Sequence, residues 1–522
     1  MPAHSTTRCG DMKRQDRGTG IRWLAALALS AGLVACGGGG GGGGGFIPLP
    51  PASGGGGNPP PPAVDANAYA DPIQTASGKV SGETVGDGDT RVHQYKGIPY
   101  GAPPVGNLRW KPPQPPASWD GVYAATSYSK MAPQPFPASP VYDAVPESGM
   151  GEDVLRLNIT TPAKKKGEKL PVMVLFHGGG LTTGSVNRAS DNLPNLPNHG
   201  VVSVTVQHRI GALGYMAHPA LTAESANKSS GNYGQLDLVA ALKWVQANIE
   251  GFGGDPGNVT IWGHSGGGMK TNWLVASPLA KGLFHRAIAE AGWTTAGTPL
   301  AQTEQYGVKL MAKVGAATID ELRKKPWQDI VAASFASGSG YTTAFTVDDW
   351  SLPDTIGNLI LDNKHSDVPF MVGNGGAEIT AANPLRGNFL KQMVKVQKSP
   401  IYTYIFTHVP VNWANAGVAA YHGLEVSYQY GSLATVGRIY GTSLLPASPD
   451  IPPDPGVSDR DYKLSDEVMS MWTRFATTGD PNVAKVGVTW PKYDDADQYL
   501  DIGIPSIVKT GFSTVTTKQM PR

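Results

Sequence analysis

The chain has 522 residues, a formal charge of +1, 16% charged residues and 40% apolar ones. A nearly balanced charge, with basic runs beyond the N-terminal segment as short as Lys164-Lys165-Lys166, leaves no electrostatic footprint for nucleic acid. The apolar share supports a sizeable buried core, and the length suits two or three average domains or one large α/β unit. Cys9 and Cys36 are the two cysteines, so no disulfide framework is expected in the folded part.

The N-terminus reads as a targeting segment. Lys13, Arg14, Arg17 and Arg22 form a basic stretch, followed from Trp23 to Ala35 by an apolar run too short to span a bilayer as a helix. Leu33-Val34-Ala35-Cys36 resembles the lipobox of bacterial lipoproteins, in which the cysteine becomes the lipid-bearing first residue. The alternative is an ordinary signal cut after Ala35; Met12 is an alternative start. Nine glycines at 37–45 and Pro/Gly-rich sequence beyond them cannot bury a core and act as a tether. The expected organisation is a signal peptide at 1–35, lipidated Cys36 with a tether at 36–69, and a catalytic domain at 70–522. Gly37 lacks the aspartate that holds lipoproteins at the inner membrane. The expected location is therefore the outer membrane, facing periplasm or cell surface.

In chain order, residues 78–85 and 92–95 read as strands about a turn at Gly86-Asp87-Gly88-Asp89. Residues 95–110 are too rich in Pro and Gly for regular structure and are expected as an ordered surface loop. Residues 172–176 and 201–206 are continuous apolar runs, the pattern of strands covered on both faces. Residues 236–249 predict a helix with Leu238, Leu242, Val245 and Ile249 on one side. A strand at 259–262 then breaks into a turn at 263–267, with a helix from Met269. A weakly patterned, helix-rich section spans about 298–363. Further strands are expected at 368–372 and 401–406, and a helix from about Ser465 to Thr477 stops at Thr478-Gly479-Asp480-Pro481. Strands alternating with helices imply an α/β fold with a mostly parallel sheet.

Two motifs carry chemistry. Gly263-His264-Ser265-Gly266-Gly267 places a serine on a turn where small neighbours are needed, with a helix N-terminus aimed at the position where negative charge develops. Such a pattern alone is weak in a chain of 67 glycines. His177-Gly178-Gly179-Gly180 directly follows a strand, and its glycines let backbone N–H groups approach a substrate oxygen. The N–H groups of Gly179, Gly180 and Gly266 are the oxyanion-hole candidates.

With these motifs stand Tyr95-Lys-Gly-Ile-Pro-Tyr100, Pro103-Pro-Val-Gly-Asn-Leu-Arg-Trp110, Glu152-Asp-Val-Leu-Arg-Leu-Asn158, Phe252-Gly-Gly-Asp-Pro-Gly-Asn-Val-Thr-Ile261 and Phe475-Ala-Thr-Thr-Gly-Asp-Pro-Asn482. From about residue 75 to residue 502 the chain resembles the type-B carboxylesterases, the family of cholinesterases and bacterial p-nitrobenzyl esterases. The resemblance implies an α/β-hydrolase fold with a helical insertion over the site. It implies Glu378, ending Met371-Val-Gly-Asn-Gly-Gly-Ala-Glu378, as the acid, and His422, in Tyr421-His-Gly-Leu-Glu425, as the base to Ser265. His408 competes for that role but lacks the Gly-x-Glu context. A serine esterase of this kind requires no metal or organic cofactor; its partner is a small-molecule ester, and a monomer is expected. The resemblance also pairs Arg109 with Glu152 and Arg209 with Asp237.

The chain departs from the family at four places. Ala132 and Val154 stand where members often carry a disulfide. His264 and Gly266 flank the serine where Glu and Ala are common, which disfavours choline-type substrates. His264 either packs under the turn or tunes the base. Leu181 and Trp293 are candidates for the acyl-pocket wall and equally for the core. The function expected is hydrolysis of small to medium apolar or aromatic carboxylic esters. A silent surface-binding protein and a polyester-oligomer hydrolase are the competing readings.

Overall fold

The computed structural model describes residues 71–135, 149–187, 192–378, 383–442 and 445–515. The targeting segment, Cys36 and the tether lie outside the described residues. An eleven-stranded sheet organises the described part: β1 (Glu83–Val85), β2 (Val92–Pro99), β3 (Arg156–Thr161), β4 (Leu170–Phe176), β5 (Val202–Val206), β6 (Gly254–His264), β7 (Arg286–Glu290), β8 (Phe370–Gly375), β9 (Ile401–Phe406), β10 (Gln498–Ile502) and β11 (Ile507–Thr510). Their spatial order is β11-β10-β9-β8-β7-β6-β4-β5-β3-β2-β1. The run from β5 to β10 is parallel, and both margins are antiparallel.

The parallel strands are apolar throughout because both faces are covered. On β4, Val172, Val174 and Phe176 enter one hydrophobic cluster while Met173 and Leu175 enter the other. Trp262 on β6, Met371 on β8, and Tyr402 and Tyr404 on β9 join that second cluster beneath α9 (Asp459–Thr478). Each such side chain contributes roughly 1.5–3 kcal/mol by leaving water. The other main helices are α1 (Tyr233–Asn248), α2 (Gly266–Ala276), the insertion helices α3 (Leu300–Val314), α4 (Ile319–Lys324), α5 (Trp327–Phe335) and α6 (Ile356–Leu361), then α7 (Asn383–Val396) and α8 (Leu424–Gln429).

Two expectations are corrected. Residues 95–99 are strand rather than loop, since β2 runs on through Gly97, whose φ of +71° admits a register shift between Tyr95 and Ile98, whereas residues 100–110 form the expected loop apart from one 3₁₀ turn at Gly106–Leu108. Tyr95, Ile98, Tyr100 and Trp110 are buried, with the Tyr100 hydroxyl donating to the Gln207 carbonyl at 2.7 Å and the Trp110 indole to the Ala212 carbonyl at 2.9 Å. The last long helix starts at Asp459 rather than near Ser465, because Ser458 and Asp461 form a capping box whose polar residues break no apolar period. It ends as expected, at Gly479 with φ +79°.

Both expected ion pairs are present. Arg109 reaches Glu152 at 2.6 and 2.5 Å, and Arg209 reaches Asp237 at 2.8 and 2.6 Å. Ala132 and Val154 are fully buried in one hydrophobic cluster, so apolar packing occupies the disulfide position.

Candidate active site

Four neighbouring strand ends build the site. β6 delivers His264 and Ser265, β4 the glycine loop at 178–180, β7 Glu290, and β8 leads into Glu378. Ser265 sits between β6 and α2 with φ +57° and ψ −123°, a left-handed backbone that costs a β-carbon-bearing residue about 1–3 kcal/mol. The turn is held by the Ser265 amide donating to the Glu290 carbonyl at 2.7 Å and by the Met269 amide donating to the Ser265 carbonyl at 3.1 Å.

Close approach explains the glycines around it. A β-carbon at Gly263 would lie 2.5 Å from the Phe176 carbonyl oxygen, jamming strand against strand end. One at Gly266 would lie 2.1 Å from the Gly180 carbonyl oxygen and 2.4 Å from the Gly180 nitrogen. The loop carrying Gly179 and Gly180 is thus packed against the N-terminus of α2, whose first residue is Gly266. The glycine loop and the N-terminus of α2 thus both lie beside Ser265.

Glu378 follows β8 in a single 3₁₀ turn, and its Oε2 accepts the Gly375 amide at 2.9 Å. Its Oε1 accepts a hydrogen bond from Nδ1 of His422, on the segment leading into α8. Burial alone would lower the His422 pKa. The hydrogen bond and charge of Glu378, then the charge of Glu425, outweigh it and raise the imidazole above its ordinary value. One side-chain nitrogen or oxygen from each of His264, Glu378 and His422 lies within 4.8 Å of the others, so the three groups interact electrostatically.

His264 is not isolated under the turn. Its ring lies 4.5 Å from that of His422 at 45°, and its Nε2 is 3.4 Å from Oε1 of Glu425. His408 stands elsewhere, its Nε2 bonded to Asp461 at 2.7 Å at the start of α9. Leu181 is buried in the main cluster. Trp293 is partly buried, edge-on to Phe389 at 5.4 Å, and follows Gly292, where a β-carbon would meet the Ser265 carbonyl oxygen at 1.8 Å. Its backbone is therefore beside the Ser265 turn.

Three buried ionisable residues here escaped sequence reasoning. Lys270, on α2, donates to the His177 carbonyl at 2.8 Å and so ties the helix to the glycine loop. Burial pushes its pKa down to about 7. Glu290 accepts the Trp472 indole N–H at 2.6 Å, and burial pushes its carboxyl up to about 8. Glu425 ends the His-Gly-x-Glu segment, the one signal by which it was findable.

Strand order, serine turn and helix coverage define the α/β-hydrolase fold. A sequence model of the carboxylesterase family matches residues 70–388 and 378–518. Carboxylesterase 1F of Mus musculus is 31% identical over 83% of this chain and 90% of its own length. The fumonisin B1 esterase of Sphingopyxis macrogoltabida is 31% identical over 82% and 86%. Among solved structures, a PNB esterase superposes with TM-score 0.71 at 27% identity, covering 84% of this chain and 96% of that one. A Geobacillus stearothermophilus carboxylesterase gives 0.68 at 26%, covering 84% and 97%. The chain belongs to the carboxylesterase family and is a carboxylic-ester hydrolase.

Proposed function

We propose that Ser265, His422 and Glu378 are nucleophile, base and acid of a two-step acyl transfer. The observation that carries this is the Glu378–His422 hydrogen bond, set ring to ring against the residue that precedes the strained Ser265. A serine hydroxyl is a poor nucleophile until a base removes its proton. His422 takes that proton as Oγ attacks the ester carbonyl, while Glu378 fixes the imidazole tautomer and answers its new charge. Gly179, Gly180 and Gly266 supply N–H groups to the tetrahedral oxyanion. His422 protonates the leaving alcohol, and water then releases the acid by the same route.

The substrates proposed are small to medium apolar or aromatic carboxylic esters, with Leu181 and Trp293 as apolar wall. Support comes from the Trp293–Phe389 contact and from the apolar cluster holding Leu181. The enzyme is proposed to act outside the cytoplasm, anchored through a lipid on Cys36; support for this is the Leu-Val-Ala-Cys sequence alone. Incorporation of labelled fatty acid in a bacterial host, lost in Cys36→Ser, is the expected outcome, and unlabelled parent protein would exclude lipidation.

The central test is hydrolysis of short p-nitrophenyl esters by the full-length chain and by Ser265→Ala. Loss of the nucleophile is expected to lower kcat by roughly 10³ to 10⁶. Retained turnover in Ser265→Ala would remove Ser265 from the mechanism.

A further inference from the structure

Two glutamates are buried beside the proposed triad, in different company. Glu290, at the end of β7, is met by the neutral Trp472 N–H, and its carboxyl is held as the neutral acid at pH 7. Glu425, in the first turn of α8, is also fully buried. Its charge is answered instead by the His264 ring at 3.4 Å. Burial would raise the Glu425 carboxyl, yet His264, and then His422, hold it below the usual carboxylate value. The His264 ring in turn rests against that of His422 at 4.5 Å.

We propose that His264 and Glu425 form a second imidazole–carboxylate couple, in which His264 keeps Glu425 ionised so that Glu425 joins Glu378 in stabilising the imidazolium of His422. This rests on the triad reading above. Both are positioning residues: neither touches the reacting atoms, and each acts through His422. The need for a partner follows from burial, because a carboxylate withdrawn from water takes up a proton unless an imidazole or a cation faces it, as Glu290 illustrates.

The other groups facing this cluster leave the role to Glu425. From β7, Glu290 is neutral. From β9, Tyr404 is a neutral phenol, its pKa raised well above 10 by burial and then by Glu290, Glu425 and Glu378. From α7, the Arg386 guanidinium acts on Glu378. Glu378 and Glu425 remain as the anions that raise His422, and Glu425 alone depends on His264.

The test is the pH dependence of kcat/KM for the full-length chain, His264→Gln, Glu425→Gln and the double variant. His422 must be neutral to act as base, so activity falls as pH drops through its raised pKa, above the ordinary 6.5. Glu425→Gln removes an anion, lowers that pKa and moves the acid limb down by roughly 0.5–1 pH unit, with kcat reduced up to about tenfold. His264→Gln is expected to move the limb the same way, because Glu425 without its imidazole takes up a proton. The double variant should shift no further than either single one. Should Glu425→Gln not fold, Glu425→Leu fills a similar volume without charge.

A limb unmoved in the single variants, whatever their loss of stability, would overturn the couple and leave His264 a packing residue. An upward shift in His264→Gln would overturn it too, since Glu425 would then stay charged unaided. Ser265→Ala separates the two levels: activity retained there removes the triad reading itself. Activity lost there with unmoved limbs removes only this inference.

Discussion

Arg209 and Lys270 are both cations sealed inside the protein, and they are accommodated in opposite ways. Arg209, 4% exposed, spends Nε and Nη2 on Asp237 at 2.8 and 2.6 Å and gives Nη1 to the Lys111 carbonyl at 2.9 Å. Lys270 donates to a single neutral acceptor, the His177 carbonyl. Nearby, His177 and His208 stack at 4.5 Å, and burial, then Lys270, holds the His208 pKa well below its ordinary value. A guanidinium cannot shed its proton, so the fold must bring it an anion; an ammonium can, and burial makes it do so near neutrality. One cation is therefore a brace, and the other a hydrogen-bond donor whose charge is optional.

The largest effect should come from breaking the brace. Asp237→Asn leaves Arg209 buried without a counter-charge, at a cost of about 3–5 kcal/mol. Chemical denaturation should show the unfolding free energy falling by that amount. A loss under about 1 kcal/mol would mean that Arg209 finds water or another acceptor, and the contrast with Lys270 would dissolve.

Sequence reading placed local structure well where the signal lies in adjacent residues. The serine turn and His177–Gly180 each follow an apolar strand, where the structure has them. Strand edges within the parallel run were legible for the same reason, as at Ile401–Phe406. Glu378 and His422 lie 44 residues apart and were placed by family motif, since no local pattern marks them as partners. β3 was missed because Asn158, Thr160 and Thr161 are buried polar residues that spoil an apolar run. Lys270, Glu290 and Glu425 were missed for a related reason. A charged residue in a helix or at a strand end reads as solvated, and only the tertiary packing shows that it is not.

Lys270→Met sharpens the comparison from the other side. Methionine has a similar reach and no donor, so α2, which follows Ser265, loses its tie to His177 at the start of the loop carrying Gly179 and Gly180. In the proposed mechanism, a small shift of those N–H groups acts on the tetrahedral intermediate more than on the bound ester. kcat should fall roughly tenfold with KM nearly constant. Stability should answer with a distinct sign. The Lys270 pKa is about 7 in the fold against 10.5 as the ordinary value, so between those limits the unfolded chain binds the extra proton. Its contribution is fully present above 10.5 and is lost as pH falls toward 7, which makes the parent gain stability as pH rises through that window. Lys270→Met should lack that gain and be the more stable of the two, relative to its own value at high pH, near pH 7. Parallel stability profiles for parent and variant would show that Lys270 keeps its charge in the folded protein, and with it some anion that the His177 contact does not supply.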